Sequence, residues 1–294
     1  METKQKTELF YEPSDIGVVQ WEENQTPFDT SEFVNIEATG WTKSTVQLDS
    51  RQGHKTFDTD GGQMVHFKEP DGYWEPLFEP IGYDLEKAVG LSVAPTTACY
   101  TITSTGVCTI GTVSFVLFKS TLGSLGLDDN QVALFFENAD LSTIVGKSVT
   151  SVWFRDYDWG EKLDHIAIGR TESSSPQVSY YVFDHSHMYK GPSARFGDEH
   201  LLRFDISRCF WPRKFVDLTF DRCLPYIERI ENITDNYITR LCTGWAVKLG
   251  EIDESREKLY IKAGRSLSSW LIKERDNLRR ELEIFFFGAR YSKT

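Results

Sequence analysis

The chain has no cysteine pair at metal-ligand or redox spacing. Its five thiols (Cys99, Cys108, Cys209, Cys223 and Cys242) stand far apart and are odd in number. That usage predicts reduced, mostly buried thiols in a cytoplasmic protein and argues against a structural zinc site. No apolar run approaches the ~18 residues that a membrane-spanning helix needs, so no membrane association is expected. The opening METKQKTELFYEPSD lacks the basic-then-apolar pattern of a signal peptide. The N-x-[ST] matches at Asn24 and Asn232 therefore carry no weight. Bases are also in short supply, with 32 Lys and Arg against 44 Asp and Glu and a net charge of −12. A surface of that sign repels phosphate backbones, so nucleic acid is not the expected partner. There is no G-x-S-x-G and no Cys/His pair in a suitable context, which removes support for a nucleophilic hydrolase. A clean G-x-G-x-x-G is missing too.

What is present is ordinary globular material: 294 residues, 40% hydrophobic and 26% charged, enough for one large domain or two lobes. Residues 1–39 read as a polar extension, with "GVVQWEENQTPF" as a weak candidate edge strand. From Gly40 the texture changes to "STVQLDS", "KTFDTDGG" and "QMVHFKEP", short alternating segments of a β-meander with a tight turn at Asp60-Gly61-Gly62. In "EPIGYDLEKAVG", Ile81, Leu85, Ala88 and Val89 recur at helical spacing and Gly90 supplies the stop. "LSVAPTTACYTI" and "GTVSFVLFKS" follow as two buried strands. This predicts an α+β smaller lobe over residues 40–125, with "STLGSLGLDDN" as the hinge. A mainly helical lobe is predicted over 126–294. In it, "HIAIGR" and "SYYVFDH" form a hairpin, and the tail from "ESREKLY" to "IFFFG" forms a pair of amphipathic helices. Leu267, Trp270, Leu271, Leu278 and Leu282 make the apolar stripe of that tail.

Several stretches, in this order, resemble the HipA-like kinase family of bacterial and phage proteins. "VHFKEPDG" resembles the family's strand before the first helix. "LFEPIGYDLEKAVGLSVAP" resembles its helix-plus-strand unit, "YYVFDHSHM" its metal-binding strand, and "SWLIKERDNLRREL" its closing helix. Order and spacing agree over about residues 40–287. The resemblance implies a bilobal protein-kinase-like fold, a smaller β-rich lobe with a helical one, and ATP and Mg2+ as cofactors. It implies transfer of phosphate to a protein hydroxyl, so a protein substrate or binding partner is expected.

Phosphoryl transfer needs a cation on the phosphates, a divalent metal, and a carboxylate near the attacking hydroxyl. The family's lysine falls at His66. Lys68 lies two residues on, on the same face if the segment is a strand, and either reaches the cleft or is a solvated strand-end lysine. Glu79 stands where the family carries the acid that orients the lysine, although a first-turn acid near the helix dipole is an equal reading. The family's catalytic segment matches "DYDWGEKLDHIAIGR" at Asp164-His165. Gly169, however, stands where a metal-binding Asn belongs, and Asp156 and Asp158 are alternatives if the register slips. Asp184, just past an apolar strand, is the expected Mg2+ ligand; the alternative is an Asp capping its own turn. His185 and His187 are expected to be neutral supporting or core groups. Three functions stay open: a phosphotransferase, a pseudokinase-type interaction module with degenerate motifs, and a nucleotidyl transferase using the same cleft.

Overall fold

The computed structural model describes residues 22–46, 54–69, 74–102, 108–117, 120–138, 141–156, 159, 163–170, 178–182 and 204–288. Its first sheet has six strands: β1 (Val34–Asn35), β2 (Thr42–Lys43), β3 (Lys55–Asp58), β4 (Met64–Lys68), β5 (Thr96–Ile102) and β6 (Cys108–Val116). They lie in the order β1-β5-β6-β4-β3-β2. β1 runs parallel to β5, and the other neighbours are antiparallel. The β3–β4 turn is the one expected from Asp60-Gly61-Gly62. Gly62 takes φ +76, and the Thr59 N–H donates to the Gln63 carbonyl at 2.9 Å, which pairs Asp58 with Met64.

The helix α1 (Glu75–Ala88) connects β4 to β5. It begins earlier than "EPIGYDLEKAVG" suggests, because Pro76 falls in the first turn, where a missing N–H costs no hydrogen bond. Gly90, at φ +84, stops it as expected. Leu77, Ile81, Leu85 and Val89 are fully buried and join one core with the helical part of the chain.

That part opens with β7 (Ser120–Thr121), α2 (Asp129–Asn138) and α3 (Ser142–Phe154). The hairpin β8 (Ile166–Arg170) and β9 (Val178–Val182) pairs as predicted, and β7 adds to its outer edge. Then follow α4 (Ile206–Cys209), α5 (Phe220–Glu231), α6 (Asp235–Ile252) and α7 (Glu257–Phe287). Trp153 and Trp159 are fully buried without losing a hydrogen bond, since their indole N–H groups donate to Leu271 O at 2.8 Å and Cys209 O at 3.1 Å.

Three expectations change. The tail is one helix of 31 residues, not two. Tyr260, Ala263, Leu267, Leu271, Leu278 and Leu282 keep a continuous buried stripe, and Gly264 sits where α7 presses against Cys242 and Ala246 of α6, so it serves close packing rather than a break. "GVVQWEENQTPF" is no edge strand where it is described, because Glu23–Gln25 is a 3-10 turn. The described end of the polar extension also belongs to the smaller lobe. β1 adds to the sheet, and Phe28, Val34, Ile36 and Trp41 cover its outer face over Val65, Phe67, Cys99 and Val113. An uncovered apolar sheet face would cost about 1.5–3 kcal/mol per large side chain left in water, so this segment supplies the missing layer.

Candidate functional site

β4 alternates between two environments because successive side chains of a strand point to opposite faces. Val65 and Phe67 enter the outer core, while His66 and Lys68 lie on the inner face. Direct cross-strand partners share a face, so the inner face carries Thr56, His66, Ser114 and Thr96 in one row and Lys68 and Thr112 in the next. This stretch is polar where the outer face is apolar, although Met64, Val116 and Ala98 share the same inner face. The Thr96 and Ser114 hydroxyls are 3.0 Å apart, and the His66 ring meets that of His54 edge-on, with centroids 5.5 Å apart.

Lys68 closes β4 and donates to Glu79 of α1, Nζ to Oε1, at 3.2 Å. Lys68 is 8% exposed and Glu79 1%. Glu79 is not a first-turn acid but stands further inside α1, on the side turned to the sheet. A buried carboxylate at this distance holds the ammonium in one direction, and a charge-assisted bond of this kind is stronger than a neutral one. His66 shares the face with Lys68.

Asp164 lies elsewhere. It is exposed, in the short 3-10 turn Leu163–His165 that leads into β8, and its Oδ1 accepts from the Thr121 hydroxyl at 3.3 Å. Gly123 makes this approach possible, since a Cβ there would lie 2.1 Å from Asp164 Oδ1. Of the expected site residues, the fold thus brings Lys68 and Glu79 together, sets His66 beside them on the sheet, and ties Asp164 to the second sheet. Gly169 pairs with Ser179 inside the β8–β9 hairpin. Asp184, Asp158, His185 and His187 lie outside the described residues.

The alternative at Asp156 is corrected. Asp156 is 1% exposed, and its Oδ2 stands 3.5 Å from Lys147 Nζ. Lys147 also donates to Glu86 Oε1 at 3.0 Å, and Glu86 accepts from the Thr150 hydroxyl at 2.6 Å. Burial pulls the Lys147 ammonium toward a lower pKa, but Glu86 and Asp156 outweigh it and hold the group above the ordinary lysine value. It is therefore charged. Sequence reading missed this cluster. Its trace was the one charged residue in "STIVGKSVTSVWF" and one of the three glutamates of α1.

No group of three or more His, Cys, Asp or Glu able to hold a metal occurs among the described residues. The buried thiols are poor nucleophiles, since burial raises Cys99 and Cys209 well above the usual range and Cys223 to about 12. An open cavity of about 830 Å3 lies between α2, α3 and α5, lined by Phe136, Val145, Phe215 and Tyr226 with Arg222 and Arg229. Lys68, Glu79 and Asp164 are not among its walls.

No helix among the described residues is long and apolar enough to cross a membrane. No protein-family model matches the chain, and no curated protein sequence does either. In fold it is similar to the crystal structure of a Helicobacter pylori proinflammatory kinase, CtkA, at a TM-score of 0.50 and 11% identity. That match covers 85% of this chain and 99% of the other. The chain has a bilobal α+β kinase-like fold, with a mixed six-stranded sheet and α1 in the smaller lobe and a mainly helical larger lobe.

Proposed function

We propose that the chain is a HipA-like, ATP-dependent and Mg2+-dependent phosphotransferase acting on a protein hydroxyl. The observation that carries this reading is the buried Lys68–Glu79 pair between sheet and helix in a fold similar to that of a kinase. An ammonium held by a carboxylate at the inner face of the sheet suits a polyphosphate, because it presents a fixed cation from a site largely closed to water. Lys68 and Glu79 fit that group. For the metal, Mg2+ commonly takes one or two carboxylates and completes its shell with phosphate and water. Asp184 is proposed for that role. Bound ATP and Mg2+ would supply the transferable phosphoryl group and neutralise its charge. The chain's part is to orient: Glu79 aims Lys68, and Asp164, exposed before β8, accepts a proton from the attacking hydroxyl.

A second reading, a pseudokinase-type module that binds a protein partner, is favoured by Gly169. It lies within the β8–β9 ladder and has no side chain to offer a metal.

Thermal unfolding with and without Mg-ATP tests the first reading, since a ligand that binds only the folded chain raises the midpoint. The midpoint should rise with Mg-ATP, and Asp184→Ala should remove the metal-dependent part of the rise. A wild-type midpoint that ignores Mg-ATP sinks the proposal. A rise without any labelled phosphate reaching protein from γ-labelled ATP leaves the pseudokinase reading.

A further inference from the structure

Glu79 and Glu86 are seven residues apart on α1. Seven residues are nearly two helical turns, so the two carboxylates project from almost the same side, about 10 Å apart along the axis. Each meets a buried lysine, but from different bodies. Glu79 meets Lys68 of the sheet, whereas Glu86 meets Lys147 of α3 in the larger lobe.

The second meeting is much more enclosed. Glu86, Lys147 and Thr150 are 0% exposed. Asp156 reaches the same ammonium because the chain turns sharply after α3: Arg155 adopts φ 52, a left-handed conformation that is costly for a residue with a side chain. The same turn sends the Arg155 guanidinium outward to α7, where it bonds Glu274, Nε to Oε2, at 2.7 Å and Glu281 at 2.6 Å. Hydrogen bonds thus tie Arg155 to α7, while the next residue, Asp156, faces Lys147, which bonds Glu86 of α1. Two further bonds fasten α1 to the larger lobe. Trp245 of α6 donates to Asp84 at 3.2 Å, and Arg229 of α5 donates to the Val89 carbonyl at 3.0 Å, beside the helix stop.

Stability alone is a poor reason for such a cluster, because an apolar set of the same volume commonly holds a core as well as a buried ion pair does. Directional bonds do something that apolar contacts do not: they fix the rotation and height of one helix against another. We propose that Lys147 is a positioning residue. Through Glu86 it fixes α1 on the larger lobe, and with it the rotation and height at which Glu79 meets Lys68. The functional meaning of this lock rests on the phosphotransferase reading; the lock itself does not.

The rate at which Lys68 is acylated by an activated ester on the folded chain, followed by quenching, digestion and mass spectrometry of the Lys68 peptide, reads the Lys68–Glu79 pair. Glu79→Gln sets the rate of a released Lys68. Lys147→Met should raise the wild-type rate about tenfold, in the usual range for coupling between linked sites. The double variant should react no faster than Glu79→Gln, because both changes release the same pair. Thr150→Val keeps the volume and removes one bond to Glu86, so it should give a smaller rise and carries the test if Lys147→Met does not fold. Leu282→Ala, which creates a cavity in α7 away from the cluster, controls for general loosening. A Lys68 rate in Lys147→Met and Thr150→Val no higher than in Leu282→Ala would overturn the proposal, and so would an additive double variant. Adding Mg-ATP to the wild type reports separately on the phosphotransferase reading: it should protect Lys68, and failure to protect sinks that reading while the nucleotide-free comparison still scores the lock.

Discussion

Lys68 and Lys147 are both buried lysines paired with a glutamate of α1, and they differ in how closely the fold encloses them. Lys147 is enclosed on every side. Two carboxylates face it, a threonine hydroxyl satisfies one of them, and the Trp159 ring lies 6.0 Å from its Nζ. Lys68 ends a strand, and 10% of its side chain is open against 1% for Lys147. A saturated ammonium can only maintain geometry.

The largest effect should come from breaking the saturated member. Lys147→Met leaves Glu86 and Asp156 as buried charges and should cost about 3–5 kcal/mol of stability in urea unfolding. Adding Glu86→Met and Asp156→Asn to it should recover most of that loss, because the buried charges go as well.

Asp84, a third carboxylate of α1, sharpens the comparison because it faces an indole instead of an ammonium. Burial outweighs the Trp245 hydrogen bond and the nearby Lys87 and Lys248, and raises its pKa from 3.8 to about 6. The folded chain therefore holds this proton more tightly than the unfolded chain. Its contribution to stability is complete below about pH 4 and is lost as pH rises through 6. Asp84→Asn should add on the order of 2 kcal/mol at pH 7.5 and nothing at pH 3.5, read from unfolding midpoints at the two pH values.

The less enclosed member, Lys68, tests the proposed phosphate contact. Lys68→Met should weaken Mg-ATP binding about tenfold or more in calorimetry, the scale of a lost charge-assisted contact, and should also lower stability because Glu79 stays buried. Equal affinity in the variant would break the comparison at its functional end.

The smallest effect belongs to the exposed Arg279–Glu231 pair, bidentate at 2.8 and 2.6 Å but with both side chains 36% exposed. Arg279→Ala should shift stability by about 0.5 kcal/mol or less, and that shift should vanish in high salt.

Much of the smaller lobe was legible because its signals are local. The Asp60-Gly61-Gly62 turn fixes the β3–β4 register, Gly90 ends α1, and alternation along "MVHFK" puts His66 and Lys68 on one face. The α7 stripe was legible as helix but not as a single helix, because the role of Gly264 depends on what α6 places beside it. The covering of the outer sheet face by Phe28, Val34, Ile36 and Trp41 left no periodic trace in the sequence.

The sequence by itself determined the local geometry: which residues form strands and helices, where they turn, and which side chains share a face. Those choices depend on backbone sterics and periodicity within a few residues. Only the tertiary structure decided the partners. Lys68 meets Glu79 from 11 residues away and Lys147 meets Glu86 from 61. The second distance leaves no mark on a sequence pattern, because a buried charge is tolerated only where the fold delivers its counter-charge, and that delivery is a property of packed helices rather than of any one segment.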